Sequence, residues 1–488
     1  MSATQATPAS LRDQVRSAVI WRSGTQIFGQ LVAWASTFLV IRILSPADYG
    51  LYAMSAVVLS LLNLMNGYGL ANALIQQREV TPRMMRQLFG MLIVLNGALA
   101  LLQFAAAPWI ADYYGQPMVA TMLRWQALIF LTNPFLALGY AILSRGMDFR
   151  RQAQVNIVSA LVGAAASLGG ALGGLGVWTL VVAPIAMFGS RALGMALAAR
   201  ALIRPSFDFR GAWGIAGFGG MVALSQLLYF VQTQSDVVIA GRTLEPHTLG
   251  LYTTALFLAQ IFVNKVVPPL NEVAFSAYSR VQDDRAAMAA GFLKSVRVIL
   301  LLAIPFCLGL ATTAQPLVRV VLGEKWLEAA PLLTLLALAM PFMTLHVLFA
   351  PATNAVGRPG IATRTAALGA VVMALTFLGG IRWGAPGIAT AWLVGYPALT
   401  AITAAWSLRA IGVRTRELMQ AVLPPVLAGL AMAAAVMLAD RLIGALPALP
   451  RLALLVGTGG AVYLGWLMTF ARPRLAELLA MRLRSSTA

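Results

Sequence analysis

The chain contains about fourteen separate runs of predominantly apolar residues, each of them twenty residues or longer. A helix needs about 20 apolar residues to cross the hydrocarbon core of a bilayer. Short basic or Gly/Pro-rich segments lie between the runs and end the helices there. The predicted spans are residues 17–42, 51–75, 86–110, 122–143, 154–174, 177–199, 214–241, 249–275, 296–316, 329–352, 362–382, 386–407, 418–439 and 452–471. The sequence therefore predicts an all-α integral membrane protein with about 14 transmembrane helices.

Composition excludes several other classes of protein. Hydrophobic residues make up 60% of the chain and charged residues only 10%, which is far from the soluble globular range. A single cysteine, Cys307, cannot form an intramolecular disulfide, and the two histidines, His247 and His346, lie far apart in sequence. We therefore expect no metal site and no cofactor. The net charge of +19 comes from basic residues between apolar runs, so it indicates membrane topology rather than nucleic-acid binding.

The distribution of basic residues predicts the orientation in the membrane. If the N-terminus lies in the cytoplasm and the chain changes side at each span, the 35 Lys and Arg residues favour the inner side by about three to one. Cytoplasmic loops of membrane proteins carry such an excess. We therefore expect a multi-pass protein with both termini in the cytoplasm. Adding or removing one span would invert every later loop and abolish the bias.

The two halves of the chain contain related segments. The sequence Arg42 to Tyr52, RILSPADYGLY, returns at Arg242 to Tyr252 as RTLEPHTLGLY, with six of eleven positions identical. Two further echoes, one of Pro and Gly and one of two glycines with an aliphatic residue, follow in the same order at nearly the same offset. In both copies of the first segment a proline suits the first turn of a helix. The predicted domains are an N-terminal six-helix lobe, residues 1–205, a C-terminal six-helix lobe, residues 206–412, and two additional helices with a cytoplasmic tail, residues 413–488.

An even number of spans in each half makes the two lobes enter the membrane in the same direction. Such parallel repeats, related by an axis along the membrane normal, occur in transporters that rock two lobes around a central site. No phosphate-binding loop of the Gly-x4-Gly-Lys-Ser/Thr type occurs in the sequence. We therefore expect transport to be driven by an ion gradient or by substrate consumption on the far side.

Four segments together resemble one family of transporters: the repeated loop, Asp236–Arg242, Ala277–Asp284, and Pro316 with Gly323–Trp326. They are similar to the polysaccharide transporters of the MOP (multidrug/oligosaccharidyl-lipid/polysaccharide) exporter superfamily, in particular the colanic-acid and O-antigen flippases. The resemblance covers essentially the whole chain. It implies a MATE-like fold and a bacterial inner-membrane protein that moves undecaprenyl-diphosphate-linked oligosaccharide to the periplasmic face. The implied partners are this lipid-linked oligosaccharide and membrane lipids, with a polysaccharide polymerase as a further candidate.

Two other functions remain as alternatives. An ion-coupled multidrug or small-molecule antiporter has the same two-lobe plan, but an exporter of cations needs buried acids, and here basic residues outnumber clear mid-span acids. An enzyme acting on polyprenyl-linked sugars needs carboxylates at the membrane edge or a large periplasmic loop, and the predicted outer loops are short. We therefore predict a transporter and not an enzyme.

Polar and charged residues within the spans are the candidate site residues, because such groups are costly in a bilayer and commonly face a cavity. Arg22 lies in span one, and Gln26 and Gln30 follow on the same helical face. A guanidinium donates paired hydrogen bonds to phosphate oxygens, so Arg22 is a candidate for the diphosphate. Snorkelling to the interface is the alternative interpretation.

Span eight carries a second candidate cation, Lys265, with Glu272 seven residues later along the same predicted face. Pro268 and Pro269 lie between them and predict a break in the helix. Lys265 is a candidate for the diphosphate headgroup. An ion pair of Lys265 with Glu272 or Asp236 is the structural alternative.

Further candidates lie in spans two and seven. Asn63 and Asn66 are three residues apart in span two, and Gln232 and Asp236 lie in span seven. The resemblance implies that spans one, two, seven and eight line the cavity. The predicted substrate-binding set is Arg22, Gln26, Gln30, Asn63, Asn66, Gln232, Lys265 and Glu272. Asp236 is the candidate ion-coupling residue, by protonation or by binding sodium, with a salt bridge to Arg242 as the alternative.

Overall fold

The computed structural model describes residues 29–67, 80–200, 203–209 and 219–470. These residues form helices joined by short turns, and they contain no strand. In chain order the α-helices are α1 Gly29–Ile43, α2 Pro46–Asn63, α3 Pro82–Tyr114, α4 Pro117–Gln126, α5 Leu128–Arg145, α6 Phe149–Leu172, α7 Trp178–Ala198, α8 Gly219–Thr243, α9 Pro246–Lys265, α10 Val267–Arg280, α11 Arg285–Thr312, α12 Ala314–Val321, α13 Ala329–Val347, α14 Phe349–Ala355, α15 Pro359–Gly380, α16 Gly384–Ile411, α17 Thr415–Ile443 and α18 Ala448–Phe470.

Within the described residues, 10 helical segments are long and apolar enough to cross a membrane. One of them, Pro359–Ile411, has 53 residues, far more than a single crossing requires. It contains α15 and α16, which pack against each other and are joined by a 3-10 turn at Ile381–Trp383. Two predicted spans therefore correspond to this one segment. The all-α membrane fold is confirmed, and fourteen spans is an approximate count.

The repeated loop folds as the sequence predicts. Pro46 and Pro246 each occupy the first turn of a helix, where a missing N–H leaves no helical hydrogen bond unmade. In the first copy the Ser45 N–H and hydroxyl donate to Asp48 Oδ2 at 2.9 and 2.6 Å, and the Asp48 N–H donates to Ser45 Oγ at 3.3 Å. In the second copy Glu245 stands at the capping position without a side-chain cap.

The second span ends earlier than predicted. Helix α2 ends at Asn63 and a turn follows as far as Gly67, whereas the prediction ran to residue 75. Gly67 has a φ of 86°, a left-handed conformation that glycine adopts without steric cost. Asn66 therefore lies beyond the helix and not one turn along it. Residues 68–79 are outside the described part of the chain.

The chain divides into two compact units, with the boundary between Leu227 and Leu228. In the second unit α17 and α18 pack against each other and α17 also packs along α11. The hydroxyl of Tyr463 on α18 donates to the carbonyl of Leu301 on α11 at 2.9 Å. The predicted division into residues 1–205, 206–412 and 413–488 remains a prediction.

Candidate binding cavity and buried acid in the second unit

The second unit contains an open cavity of about 400 Å³. Helices α8, α9, α10, α13, α14, α15 and α16 supply its walls. The lining residues are Tyr229, Gln232, Val263, Asn264, Val267, Pro268, Asn271, Glu272, His346, Val347, Phe349, Ala350, Thr353, Ile361, Ala362, Thr365, Ala366, Thr403 and Ser407. The volume lies within the range of about 300–1,000 Å³ that is usual for small-molecule sites.

Two interrupted helices adjoin this cavity, and one interruption coincides with a pair of prolines. Helix α9 ends at Lys265 and α10 begins at Val267. Pro268 and Pro269 have no N–H, so they cannot bond to the carbonyls of Asn264 and Lys265 four residues before them. The break that the sequence predicts here is confirmed. Lys265 and Glu272 consequently do not share one continuous helical face.

The second interruption, between α13 and α14, was not predicted. Pro351 has no N–H for the carbonyl of Val347, the acceptor four residues before it. Asn271 of α10 supplies the missing donor, because its Nδ2 lies 3.1 Å from the Val347 carbonyl oxygen. A side chain of α10 thus contacts the second interruption, and residues beside both interruptions line the cavity.

A row of uncharged polar side chains forms one wall of the cavity. His346 Nε2 lies 3.4 Å from Gln232 Nε2, and His346 Nδ1 lies 3.2 Å from Thr403 Oγ1. Both ring nitrogens therefore have polar neighbours from other helices. Ser407 lies one turn further along α16, with 0% of its surface exposed. Its Oγ has no hydrogen-bond partner among the described residues.

A buried acid lies elsewhere in the same unit. Asp236 has 0% of its surface exposed, and its Oδ2 accepts a 2.6 Å hydrogen bond from the hydroxyl of Tyr252. Trp392 Nε1 donates to the same hydroxyl at 2.7 Å, and the Trp392 ring stacks on Tyr396 with centroids 5.2 Å apart. Asp236 Oδ1 has no hydrogen-bond partner within the described ranges. A second partner for this oxygen, such as a proton or a cation, would complete the site.

The comparison with protein families decides the class of the chain. Residues 39–331, more than half of the sequence, match the family described as "Polysaccharide biosynthesis protein". The chain belongs to this family.

Relatives of this family member include the succinoglycan biosynthesis transport protein ExoT of Rhizobium meliloti (strain 1021). The two are 27% identical over 388 residues, which cover 80% of this chain and 78% of ExoT. The lipopolysaccharide biosynthesis protein WzxC of Escherichia coli (strain K12) is 23% identical, covering 67% of each chain. The teichuronic acid biosynthesis protein TuaB of Bacillus subtilis (strain 168) is 25% identical, covering 55% of this chain and 56% of TuaB.

Solved structures show the same fold. The lipid II flippase MurJ, in an inward closed conformation, has a TM-score of 0.75 at 13% identity, covering 94% of this chain and 100% of MurJ. An inward-facing multidrug resistance MATE transporter of the MOP superfamily has a TM-score of 0.63 at 13% identity, covering 81% and 98%. The predicted MOP-like fold and the prediction of a polysaccharide transporter are confirmed. The multidrug antiporter has less support, since similarity to MATE transporters at this identity concerns the fold alone.

The structure brings some of the predicted site residues to the cavity and leaves others elsewhere. Gln232 and Glu272 line it, whereas Lys265 is exposed at the end of α9 and does not. No ion pair joins Lys265 to Glu272 or Asp236 in the described chain. Asp236 does not line the cavity, and its carboxylate accepts a hydrogen bond from the hydroxyl of Tyr252. The described residues also contain no group of three or more His, Cys, Asp or Glu side chains able to hold a metal ion.

The remaining candidates belong to the first unit. Gln30 is half-buried on α1, and Arg22 and Gln26 lie outside the described residues. Asn66 takes part in a buried amide network: Asn96 Nδ2 donates to the Asn66 carbonyl at 3.0 Å, and Asn133 Nδ2 donates to Asn96 Oδ1 at 3.2 Å. Asn63 lies at the edge of this network, where its Oδ1 accepts a hydrogen bond from Asn66 Nδ2 at 3.5 Å.

Sequence reasoning did not single out several residues of the second unit. Asn271, Thr403 and Ser407 at the cavity and Trp392 beside Asp236 received no role, and His346 was considered only as a metal ligand. Each is a polar side chain within an apolar run, which was the available signal. Their partners come from helices distant in the chain, so no short-range pattern indicates which of these side chains are in contact.

Proposed function

We propose that this protein is a flippase. It moves undecaprenyl-diphosphate-linked oligosaccharide units from the cytoplasmic to the periplasmic face of the inner membrane, by alternating access, for exopolysaccharide, capsule or O-antigen synthesis. The family match over residues 39–331 carries this proposal. The fold is shared with MurJ, which is named as a flippase of lipid II. Lipid II is a lipid-linked substrate, so this shared fold supports the proposal.

The protein is a transporter without enzymatic activity, it lies in the bacterial inner membrane with both termini in the cytoplasm, and a polysaccharide polymerase is a candidate partner. The excess of basic residues in the predicted inner loops supports this orientation.

Two cations are proposed to bind the diphosphate. Arg22 and Lys265 lie within or at the end of predicted spans, and basic side chains there are costly unless they meet an anion or water. The exposed position of Lys265 leaves its ammonium accessible to a ligand. The guanidinium of Arg22 suits two phosphate oxygens at once. Gln26, Gln30, Asn63, Asn66, Gln232 and Glu272 complete the proposed substrate-binding set.

Asp236 is proposed as the coupling residue. Its carboxyl group is buried, Tyr252 satisfies one oxygen, and the other has no partner among the described residues. An intramembrane acid with a free oxygen is suited to exchange a proton or a sodium ion as the protein changes conformation. The first copy of the repeat has Ser36 at the corresponding position, two hundred residues earlier, so only the second copy carries the acid.

Flipping in proteoliposomes tests the function. Labelled undecaprenyl-diphosphate oligosaccharide is placed in one leaflet, and its appearance to a membrane-impermeant probe on the other side is followed with and without an imposed proton or sodium gradient. We expect protein-dependent flipping that Arg22→Gln and Lys265→Gln abolish. We expect Asp236→Asn to retain only a slow rate that no longer responds to the gradient.

Matched variants provide the controls. Lys294→Gln removes an exposed cation from α11. Asp440→Asn removes an acid whose Oδ1 lies 2.7 Å from Arg451 Nε. Both are expected to flip substrate at the wild-type rate, and all variants must insert in the membrane. Flipping at the rate of empty liposomes by folded protein, with either gradient imposed, would overturn the function. Normal flipping by the single and double cation variants would overturn only the headgroup assignment.

A further inference from the structure

The charges around the cavity of the second unit exclude the diphosphate as its ligand. Among the described residues that line it, Glu272 is the one charged side chain, and none is Lys or Arg. A diphosphate placed beside a carboxylate, without a cation, would lose its hydration and be repelled, and hydrogen bonds from uncharged groups would not neutralise its charge. Lys265, the nearest cation in sequence, is exposed and outside the lining. The ligand that the cavity fits is therefore uncharged or cationic.

The polar wall is suited to hydroxyl groups. Gln232, His346, Thr403 and Ser407 offer amide, imidazole and hydroxyl groups, which both donate and accept hydrogen bonds. Ser407 Oγ is fully buried and has no partner among the described residues, so the wall contains an unmade hydrogen bond. A buried hydroxyl without a partner is costly, and a hydrocarbon chain in the cavity would leave it so.

Most of the lining surface is apolar, and Phe349, Val267 and Ile361 contribute to it. A surface that is apolar with a few directed polar groups is usual for sites that bind small organic ligands. A sugar ring has both kinds of surface, since its C–H groups form apolar faces and its hydroxyls project from the edge. The volume of about 400 Å³ limits the ligand to a short piece of glycan.

We propose that this cavity binds an uncharged sugar residue of the lipid-linked glycan, while the diphosphate remains outside it. The inference rests on the proposed function and assigns the glycan to the second unit. The Gln232, His346, Thr403 and Ser407 wall binds the hydroxyls. Glu272 makes the cavity unfavourable for an acidic sugar.

Two threonines of α16 allow a matched test. Thr403 Oγ1 lies 3.2 Å from His346 in the cavity wall, whereas Thr400 Oγ1 donates to the Phe342 carbonyl at 3.0 Å and does not line the cavity. Both side chains are buried and both contact α13. Thr403→Val and Thr400→Val therefore each remove one buried hydroxyl that faces α13. Only the first substitution alters the cavity. Ser407→Ala is a second cavity variant.

The measurement is the gain in affinity that the sugar provides. Full-length protein in nanodiscs is titrated with undecaprenyl diphosphate and with undecaprenyl diphosphate bearing glucose, galactose, N-acetylglucosamine or glucuronic acid. For at least one neutral sugar we expect a gain that Thr400→Val preserves and that Thr403→Val and Ser407→Ala each reduce by about two- to tenfold. Glucuronic acid should give a smaller gain, which Glu272→Gln increases.

Photo-crosslinking identifies the part of the substrate in the cavity. A diazirine on the sugar should label peptides of α10 and α16 that line the cavity, and a diazirine at the end of the polyprenyl chain should not. Labelling by the tail probe instead, or equal sugar gains in Thr403→Val and Thr400→Val, would overturn the sugar site. Lipid-diphosphate binding and flipping that persist in that case would leave the proposed function intact, whereas loss of both would refute the function itself.

Discussion

The absence of a side chain at Gly369 leaves room for the amide of Gln232, which belongs to the polar wall of the cavity. Gly369 lies in α15, and a Cβ at this position would stand 2.5 Å from Gln232 Oε1 and 3.1 Å from Leu399 Cδ2. Such distances are shorter than van der Waals contact, so any larger residue must displace the Gln232 amide. Because Gln232 lies beside His346, the close approach of α15 to α8 helps to position the polar wall.

Gly369→Ala should therefore destabilise the protein by about 1 kcal/mol, because the usual cost of overpacking a core, about 1–3 kcal/mol, is partly offset by the higher helix propensity of alanine. It should also slow flipping, since the Gln232 amide loses its position. Gly379→Ala is the matched control, because Gly379 lies in the same helix with nothing within 4 Å of a new Cβ. There alanine should be neutral or slightly stabilising through its helix propensity. Unfolding in detergent measures both, and equal stability of the two variants would contradict the packing argument.

At this scale the sequence identifies candidates but not their partners. Gln232, Glu272 and Asp236 stand out as polar residues in apolar spans, and two of them line the cavity. The contact between Gln232 and His346 joins residues 114 positions apart, and that between His346 and Thr403 joins residues 57 apart. Helix packing creates these contacts, and no short-range pattern in the sequence encodes it.

At the scale of elements, prolines do not act uniformly. Pro268 and Pro269 coincide with a break between α9 and α10, as predicted, yet Pro424 and Pro425 are equally paired and lie inside the continuous helix α17. Pro305 also leaves its helix continuous. What distinguishes the break near the cavity is not visible in the proline pattern. The interruption before Pro351 was missed for the same reason.

Asn271 replaces the hydrogen bond that Pro351 cannot make. Asn271→Ala should leave the half-buried Val347 carbonyl without its donor and destabilise the protein by about 1 kcal/mol. Pro351→Ala restores a backbone N–H four residues after Val347, so in that background Asn271→Ala should cost much less. A double-mutant cycle of unfolding free energies measures this coupling. Additive effects of the two substitutions would show that Asn271 does not compensate for the proline.

At the scale of the whole molecule, apolar periodicity predicted most of the helices because the bilayer imposes their length. The duplication was visible because its loop needs a helix-initiating proline in each copy. The two copies have nevertheless diverged where function is proposed. Asp236 and Trp392 form a polar cluster with Tyr252 in the second unit, while the first-copy counterpart of Asp236 is Ser36. The internal repeat in the sequence thus predicts the arrangement of the helices better than the position of the functional residues.

Orientation decides the direction of the proposed transport, because the cavity must open to the leaflet where the substrate is made. The distribution of basic residues puts the turn before α15 in the cytoplasm and the turn between α17 and α18 on the opposite side. Cys307 is the single cysteine of the chain and is fully buried, so Cys307→Ala provides a background without reactive thiols. Gly360 and Leu446 are exposed positions in or beside these two turns.

In intact cells with a permeable outer membrane, an impermeant maleimide should label the Leu446→Cys variant and leave Gly360→Cys unlabelled. Lysis should make both react, which controls for thiol accessibility. The expectation follows from the positive-inside bias, which the three-to-one ratio of basic residues makes strong. The reverse pattern would place both termini outside and direct the proposed flipping inwards. Labelling of both cysteines before lysis would mean that the number of spans between them is even and that the predicted count is wrong in this region.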